Sequence, residues 1–168
     1  MNEVVKGAAT HQRLIALLSQ EGASWREICH EPVGKCEAVS EIRGTALGQG
    51  AKALVCKVKG NGVNQHVLAI LPADQQADLA QLATHLGGLR ASLASPAEVD
   101  ELTGCVFGAI PPFSFHPKLK LVADPLLFER YSEVAFNAGV LEKSVILKTE
   151  DYLRIAKPEL VTFRRTPS

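Results

Sequence analysis

Apolar positions along the chain repeat first at helical and then at strand spacing, and the breaks fall on glycine, proline and asparagine. The run HQRLIALLSQEG after Thr10 gathers Leu14, Ile15, Leu17 and Leu18 into a stripe of helical period. Thr10 can cap its start, and Gly22 suits its left-handed end. Ser24–His30 carries a weak strand alternation that stops at Glu31-Pro32. A short helix is expected over Lys35–Arg43, closing at Gly44, with Cys36 standing where Ser or Thr would cap better.

Ala51–Val58 then reads as a strand, and Gly60-Asn61-Gly62 as the turn into an antiparallel partner, Val63–Leu71. From Val67 that partner is apolar without alternation, the pattern of a strand buried on both faces. Pro72-Ala73-Asp74 is expected to open a helix carrying Leu79, Leu82, Ala83 and Leu86, ended by Gly87-Gly88. Ser95-Pro96-Ala97-Glu98 combines a capping box with proline at the first helical position, and Gly104 ends that helix. Strands are expected at Lys118–Ala123, Val134–Phe136 and Ser144–Lys148, with a turn or short helix at Asp124-Pro125. Thr149 caps a last helix over Glu150–Ala156, Pro158 blocks its continuation, and Leu160–Phe163 could add an edge strand. Mixed order and hairpin turns favour one α+β domain with a curved antiparallel or mixed sheet. No repeat or linker divides the chain.

Composition narrows the setting. A chain of 168 residues is long enough for one domain with its own core. Lys and Arg number 18 and Asp and Glu number 18, so the formal net charge is zero. That argues against gripping long nucleic acid by charge alone, which rests on several phosphate contacts, but leaves open a basic cleft or recognition of one nucleotide end. The opening MNEVVKGAATHQR lacks the apolar core of a secretion signal, and no apolar run approaches membrane-spanning length. Cys29, Cys36, Cys56 and Cys105 are scattered with no CxxC pair and no histidine at finger spacing. They read as structural thiols in a reducing cytoplasm.

The candidate chemistry starts from one misplaced cation. If Ala51–Val58 is a strand, Lys52 shares a face with Leu54, Cys56 and Val58, while Lys57 and Lys59 share the other with Ala53 and Val55. An ammonium on the inward face must reach solvent past the sheet edge, find a partner or meet an anionic ligand. The second unusual stretch is CVFGAIPPFSFHP, Cys105–Pro117. Proline stiffens it and glycine lets it approach another group closely, so it can hold peptide groups in fixed directions. It can equally be a rigid connector whose phenylalanines cap the core. His66 and His85 read as surface groups. No GxSxG elbow, P-loop, HExxH or GxGxxG opening a helix is present, and neither Cys56 nor Cys105 has an obvious histidine partner in sequence. What remains is an inward lysine plus a loop with backbone groups to offer, a pairing suited to an anionic or nucleotide-linked ligand.

At these residues the chain resembles the YbaK/prolyl-tRNA-synthetase editing-domain family, from roughly Thr10 to Pro158. Gly50-Ala51-Lys52-Ala53-Leu54-Val55 is similar to the family segment where a lysine opens a core strand. Gly108-Ala109-Ile110-Pro111-Pro112 matches its GxxxP loop, and the turn His30-Glu31-Pro32 and the late Asn137-Ala138-Gly139 also fit. The resemblance implies a curved, barrel-like sheet surrounded by helices and a free-standing aminoacyl-tRNA deacylase acting in trans. Such an enzyme hydrolyses the ester that joins a wrongly loaded amino acid to the terminal adenosine of tRNA. It further implies that Lys52 holds the tRNA end, that Gly108–Pro112 position the aminoacyl carbonyl, and that water attacks with no covalent enzyme intermediate and no metal or cofactor. His30, Asn137, Ala138 and Gly139 are carried over as substrate-binding positions, with His30 touching substrate or shaping its turn. Ala53 and the helix start Gly34-Lys35-Cys36 depart from relatives at positions bordering the amino-acid pocket. The Phe113–Phe115 flank and Asn137 suggest a small residue such as Ser, Ala or Thr. Implied partners are the acceptor end of aminoacyl-tRNA and a synthetase or elongation factor that lends affinity, with no membrane. The alternatives are a non-catalytic aminoacyl or nucleotide sensor and a protein that docks on a synthetase.

Overall fold

The hairpin marked by Gly60-Asn61-Gly62 forms the middle of the larger of two sheets in the computed structural model, which describes residues 6–33 and 35–165. Residues 1–5 of the opening segment, Gly34 and the side chain of Cys36 lie outside the described residues. The elements run α1 (Ala8–Gln20), β1 (Trp25–Cys29), α2 (Cys36–Arg43), a 3-10 turn (Leu47–Gln49), β2 (Ala51–Gly60) and β3 (Val63–Pro72). They continue with α3 (Leu79–His85), β4 (Arg90–Leu93), α4 (Pro96–Thr103), β5 (Leu119–Ala123) and α5 (Leu126–Glu129). The chain closes with β6 (Glu133–Asn137), β7 (Lys143–Lys148), α6 (Thr149–Ala156) and β8 (Glu159–Leu160).

Asn61 and Gly62 sit at φ 54° and 79°, the two positive angles that a two-residue hairpin turn needs to match strand twist. The larger sheet has the order β4-β2-β3-β5-β8, antiparallel across β4, β2 and β3 and parallel across β3, β5 and β8. The smaller sheet, β1-β7-β6, is antiparallel throughout. A single parallel bridge between Gly50 and Ala135 joins the opening of β2 to β6. The expected α+β class holds, but the barrel-like closure does not: the strands form two sheets meeting at a seam.

Alternation along the strands gives the larger sheet two packed faces. One face carries Ala51, Val55, Leu68, Ile70, Leu119 and Ala123 and packs against α1 and the smaller sheet. The other carries Cys56, Val58, Val67, Ala69, Leu71 and Val122 beneath Leu82, Ala83 and Phe163. Val67–Leu71 are fully buried, as the unbroken apolar run requires. Lys52 falls on the second face, in register with Leu71. The Ser95 capping box forms, with Glu98 N–H donating to Ser95 Oγ and Ser95 N–H to the Glu98 carboxylate; such a cap contributes about 1 kcal/mol.

Four local expectations give way to tertiary contacts. Thr10 lies inside α1, and its hydroxyl donates to the Thr103 carbonyl (2.8 Å) instead of capping. The helix expected at Pro72 starts at Leu79 with Asp78 as its cap, because Pro72 stays paired with Ala51 in the sheet and Asp74 turns to Arg130. Thr149 is the first residue of α6, and its hydroxyl bonds the Tyr131 carbonyl. The last edge strand covers only Glu159–Leu160, since buried Asp124 accepts the N–H groups of Phe163 and Arg164 and draws Phe163 into the core.

Candidate active site

The seam between the sheets opens into a cavity of about 160 Å³. Its walls are the start of β2 from Gly50 to Leu54, one side of α2 (Val39 and Arg43), the end of β6 from Ala135 to Asn137, and Phe107, Gly108 and Ile110 of the loop. The Gly50–Ala135 bridge brings the two strands side by side. Gly50 is closely surrounded: a Cβ there would lie 3.1 Å from the Ala73 Cβ and 3.2 Å from the Leu47 carbonyl, so a larger residue would make its neighbours give. The wall is mainly apolar, and its charged residues are Lys52 and Arg43. Such a surface favours electron-rich oxygens over cations.

Lys52 meets the requirement set by its inward position. Its ammonium donates to the Gln75 carbonyl at 2.5 Å, at the edge where β2 enters the sheet. An ammonium has three hydrogens, so this bond leaves two.

The loop is pinned by its carbonyls and keeps N–H groups without an acceptor among the described residues. Asn137 Nδ2 donates to the Gly108 carbonyl (2.8 Å), Gly139 N–H to the Ala109 carbonyl (2.8 Å) and the Tyr152 hydroxyl to the Pro112 carbonyl (2.7 Å). Ala109 N–H donates to the Val106 carbonyl (3.1 Å), and Pro111 and Pro112 have no N–H to give. Among the described residues, nothing accepts from the N–H groups of Gly108 and Ile110, and both residues line the cavity. Gly108 has φ +87°, a backbone state that residues with a Cβ rarely adopt. Both sequence readings of this stretch therefore hold, for different parts of it. Phe113 is a core residue packed against Tyr152 and Phe136 at centroid distances of 5.2 and 6.0 Å, while Phe107-Gly108 stay at the surface.

Behind the loop stands a polar network that the sequence did not reveal. Asn137 is 6% exposed; its Nδ2 also donates to the Val33 carbonyl (2.8 Å), which fixes its Oδ1 as the acceptor for Arg43 Nη2 (3.0 Å). Arg43 Nε donates to Ser144 Oγ (2.9 Å), which lies 3.0 Å from Asn137 Oδ1. His30 spans the gap to the turn: Nδ1–H donates to the Glu31 carbonyl (2.7 Å) and Nε2 is 2.7 Å from Ser144 Oγ.

Of the residues expected at the site, Lys52, Gly108, Ile110 and Asn137 meet at the cavity. His30, Ala109, Pro111, Pro112, Ala138 and Gly139 are not part of its lining. Ala109 and Ala138 are fully buried. Gly139 presses on α1, where a Cβ would sit 2.9 Å from His11 N. Ala53 does line the cavity, as the departure from relatives anticipated. Val39, Arg43, Phe107 and Ser144 were missed. Val39 and Arg43 are four apart on one helix face, a spacing that could have flagged the pair. The buried thiols offer no competing nucleophile: burial pushes Cys56 up to about 12 and raises Cys105, so both stay protonated near neutral pH.

This chain belongs to the aminoacyl-tRNA editing domain family: the family's model matches residues 30–155, a span that contains the whole cavity lining. Over 166 residues, 99% of both chains, it is 86% identical to the multifunctional Ser/Thr-tRNA deacylase ProXp-y of Escherichia coli (strain K12). Two solved structures share its fold. The hypothetical protein APE2540 superposes with a TM-score of 0.80 at 19% identity, over 91% of this chain and 99% of the other. A protein provisionally assigned as a trans-editing enzyme for prolyl-tRNA synthetase gives 0.78 at 21%, over 95% and 99%.

Proposed function

We propose that this protein is a trans-acting aminoacyl-tRNA deacylase that frees serine or threonine from tRNA on which it does not belong. The observation that carries the reading is that one small cavity is lined both by Lys52 and by Gly108 and Ile110, whose N–H groups have no acceptor among the described residues. Family membership and the deacylase relative support it, and about 160 Å³ suits a small aminoacyl group.

In this reading the aminoacyl group enters the cavity and its ester carbonyl meets the loop. Water adds to the carbonyl carbon, the oxygen takes up negative charge, and the preset N–H groups stabilise it. A single such donor supplies about 3–4 kcal/mol. The C–O bond to the ribose then breaks, the ribose oxygen takes a proton, and a free amino acid and uncharged tRNA leave. None of the lining residues is a carboxylate, histidine or thiol. The proton shuttle is therefore assigned to water and the neighbouring ribose hydroxyl of the substrate. Lys52 holds an oxygen of the terminal nucleotide. With zero net charge the protein contacts tRNA at the acceptor end and borrows affinity from a synthetase or elongation factor, in the cytoplasm where charged tRNA circulates.

The test is deacylation of a panel of correctly and incorrectly charged tRNAs by wild type and Lys52→Ala. Release confined to serine and threonine, reduced at least about 100-fold in the variant, is expected. A folded wild type that releases nothing from any tRNA would remove the enzyme from consideration.

A further inference from the structure

Phe107 stands apart from the other aromatic residues. Phe113, Phe136 and Phe163 are buried, Phe115 and Phe128 are half-buried, and four of these rings pack face-on or edge-on against one another or Tyr152 or both. Phe107 is 58% exposed, and among the described residues it is the one exposed large apolar side chain that lines the cavity. The backbone on either side of it is held, because the Val106 carbonyl before it accepts Ala109 N–H and the Gly108 carbonyl after it is held by Asn137. A half-bare aromatic ring on a held backbone thus shares the cavity wall with Gly108 and Ile110.

The cavity explains what can cover that ring. Sites that enclose a drug-sized ligand have volumes of roughly 300–1,000 Å³, and this one, at about 160 Å³, holds an aminoacyl group but not the nucleoside attached to it. The ribose and base of the terminal nucleotide must lie at the mouth, where Phe107 is. Every base has a π-face, so an exposed aromatic ring binds a base by stacking without reading its hydrogen-bonding edges. We infer that Phe107 is the stacking platform for the terminal purine of the charged tRNA; the inference rests on the deacylase reading for the identity of that ligand. Stacking there gives affinity for the nucleoside at the mouth while the cavity alone selects the amino acid.

The test compares two non-hydrolysable probes by calorimetry: a seryl amide of 3′-amino-adenosine and the same seryl amide on a ribose without a base. Wild type should bind the first about 5- to 100-fold more tightly, and Phe107→Ala should bind the two equally. Phe107→Trp should keep the preference, and Phe107→Leu, apolar but without a π-face, should lose most of it. On seryl-tRNA, Phe107→Ala should raise KM by a similar factor with little change in kcat. Equal base preference in wild type and Phe107→Ala overturns the assignment, as does full retention by Phe107→Leu, which would make the ring a nonspecific apolar cover. Wild type that shows the base preference but hydrolyses no aminoacyl-tRNA keeps the platform and removes the deacylase.

Discussion

Two polar clusters of similar size stabilise this fold, and they differ in what they hold. At the far end of the larger sheet, Glu98 pairs with His66 Nε2 at 2.5 Å and Lys57 Nζ at 2.9 Å, with all three side chains 22–30% exposed. Behind the cavity, Arg43, Ser144, Asn137 and His30 form the second cluster, in which Ser144 is fully buried and Asn137 nearly so. The first cluster lies where water and salt reach its side chains. The second ends on the backbone, at the carbonyls of Val33 and Gly108. A polar contact is worth little where solvent can replace it and a great deal where its loss leaves buried groups unpaired. It bears on function when one of those groups belongs to the loop proposed to meet the substrate.

The sharpest way to break this contrast is Asn137→Asp. The substitution keeps the shape but sets acceptor oxygens against two carbonyls, with an expected stability loss of about 1–3 kcal/mol by urea unfolding. Because Gly108 loses its anchor, kcat for deacylation should fall at least about tenfold, the size of effect a misplaced site produces. A variant with full activity would show that the loop holds itself. Next comes Arg43→Met, which keeps the aliphatic stem and removes the fork that bridges Ser144 and Asn137; a loss of about 1–3 kcal/mol is expected. Arg43→Lys should recover less than half of it, since one ammonium cannot reproduce the planar pair of donors; full recovery would reduce Arg43 to a simple charge.

The smallest effect belongs to the exposed cluster. The hydrogen bond from His66, followed by that from Lys57, holds Glu98 well below its ordinary value of 4.5. A lowered folded value means that the stabilisation is present above about pH 4.5 and is lost as the pH falls below it. Glu98→Gln keeps the capping box and removes the charge. The Tm gap between wild type and this variant should be small at pH 7, shrink in 1 M salt and close in acid. A gap that persists unchanged to pH 2 would assign the effect to packing.

How far the sequence could be read follows the same division. Features written in neighbouring residues were legible: the capping box of α4, the Asn61-Gly62 turn, the doubly buried β3 and the inward lysine all stand as read. Features written across the chain were not. Asp74 looks like a helix cap until Arg130, 56 residues away, claims both of its oxygens. Arg43 looks like an ordinary cation in a last helical turn, and its partners Ser144 and Asn137 lie 101 and 94 residues on. β4 was missed because RASL has no clear alternation; its pairing with β2 makes it a strand. The loop was legible as rigid and glycine-bearing, but which of its N–H groups are left over depends on Tyr152, Gly139 and Asn137 taking up its carbonyls.

That last arrangement has a consequence in time. A flexible loop must be ordered at every encounter with a substrate, and part of the binding energy goes into restraining it. Here the restraint is installed when the chain folds, by partners drawn from α6, β6 and the segment that follows β6. In the proposed reaction each arriving ester would therefore meet a surface already set, and an amino acid that does not fit would leave again without the loop having closed on it.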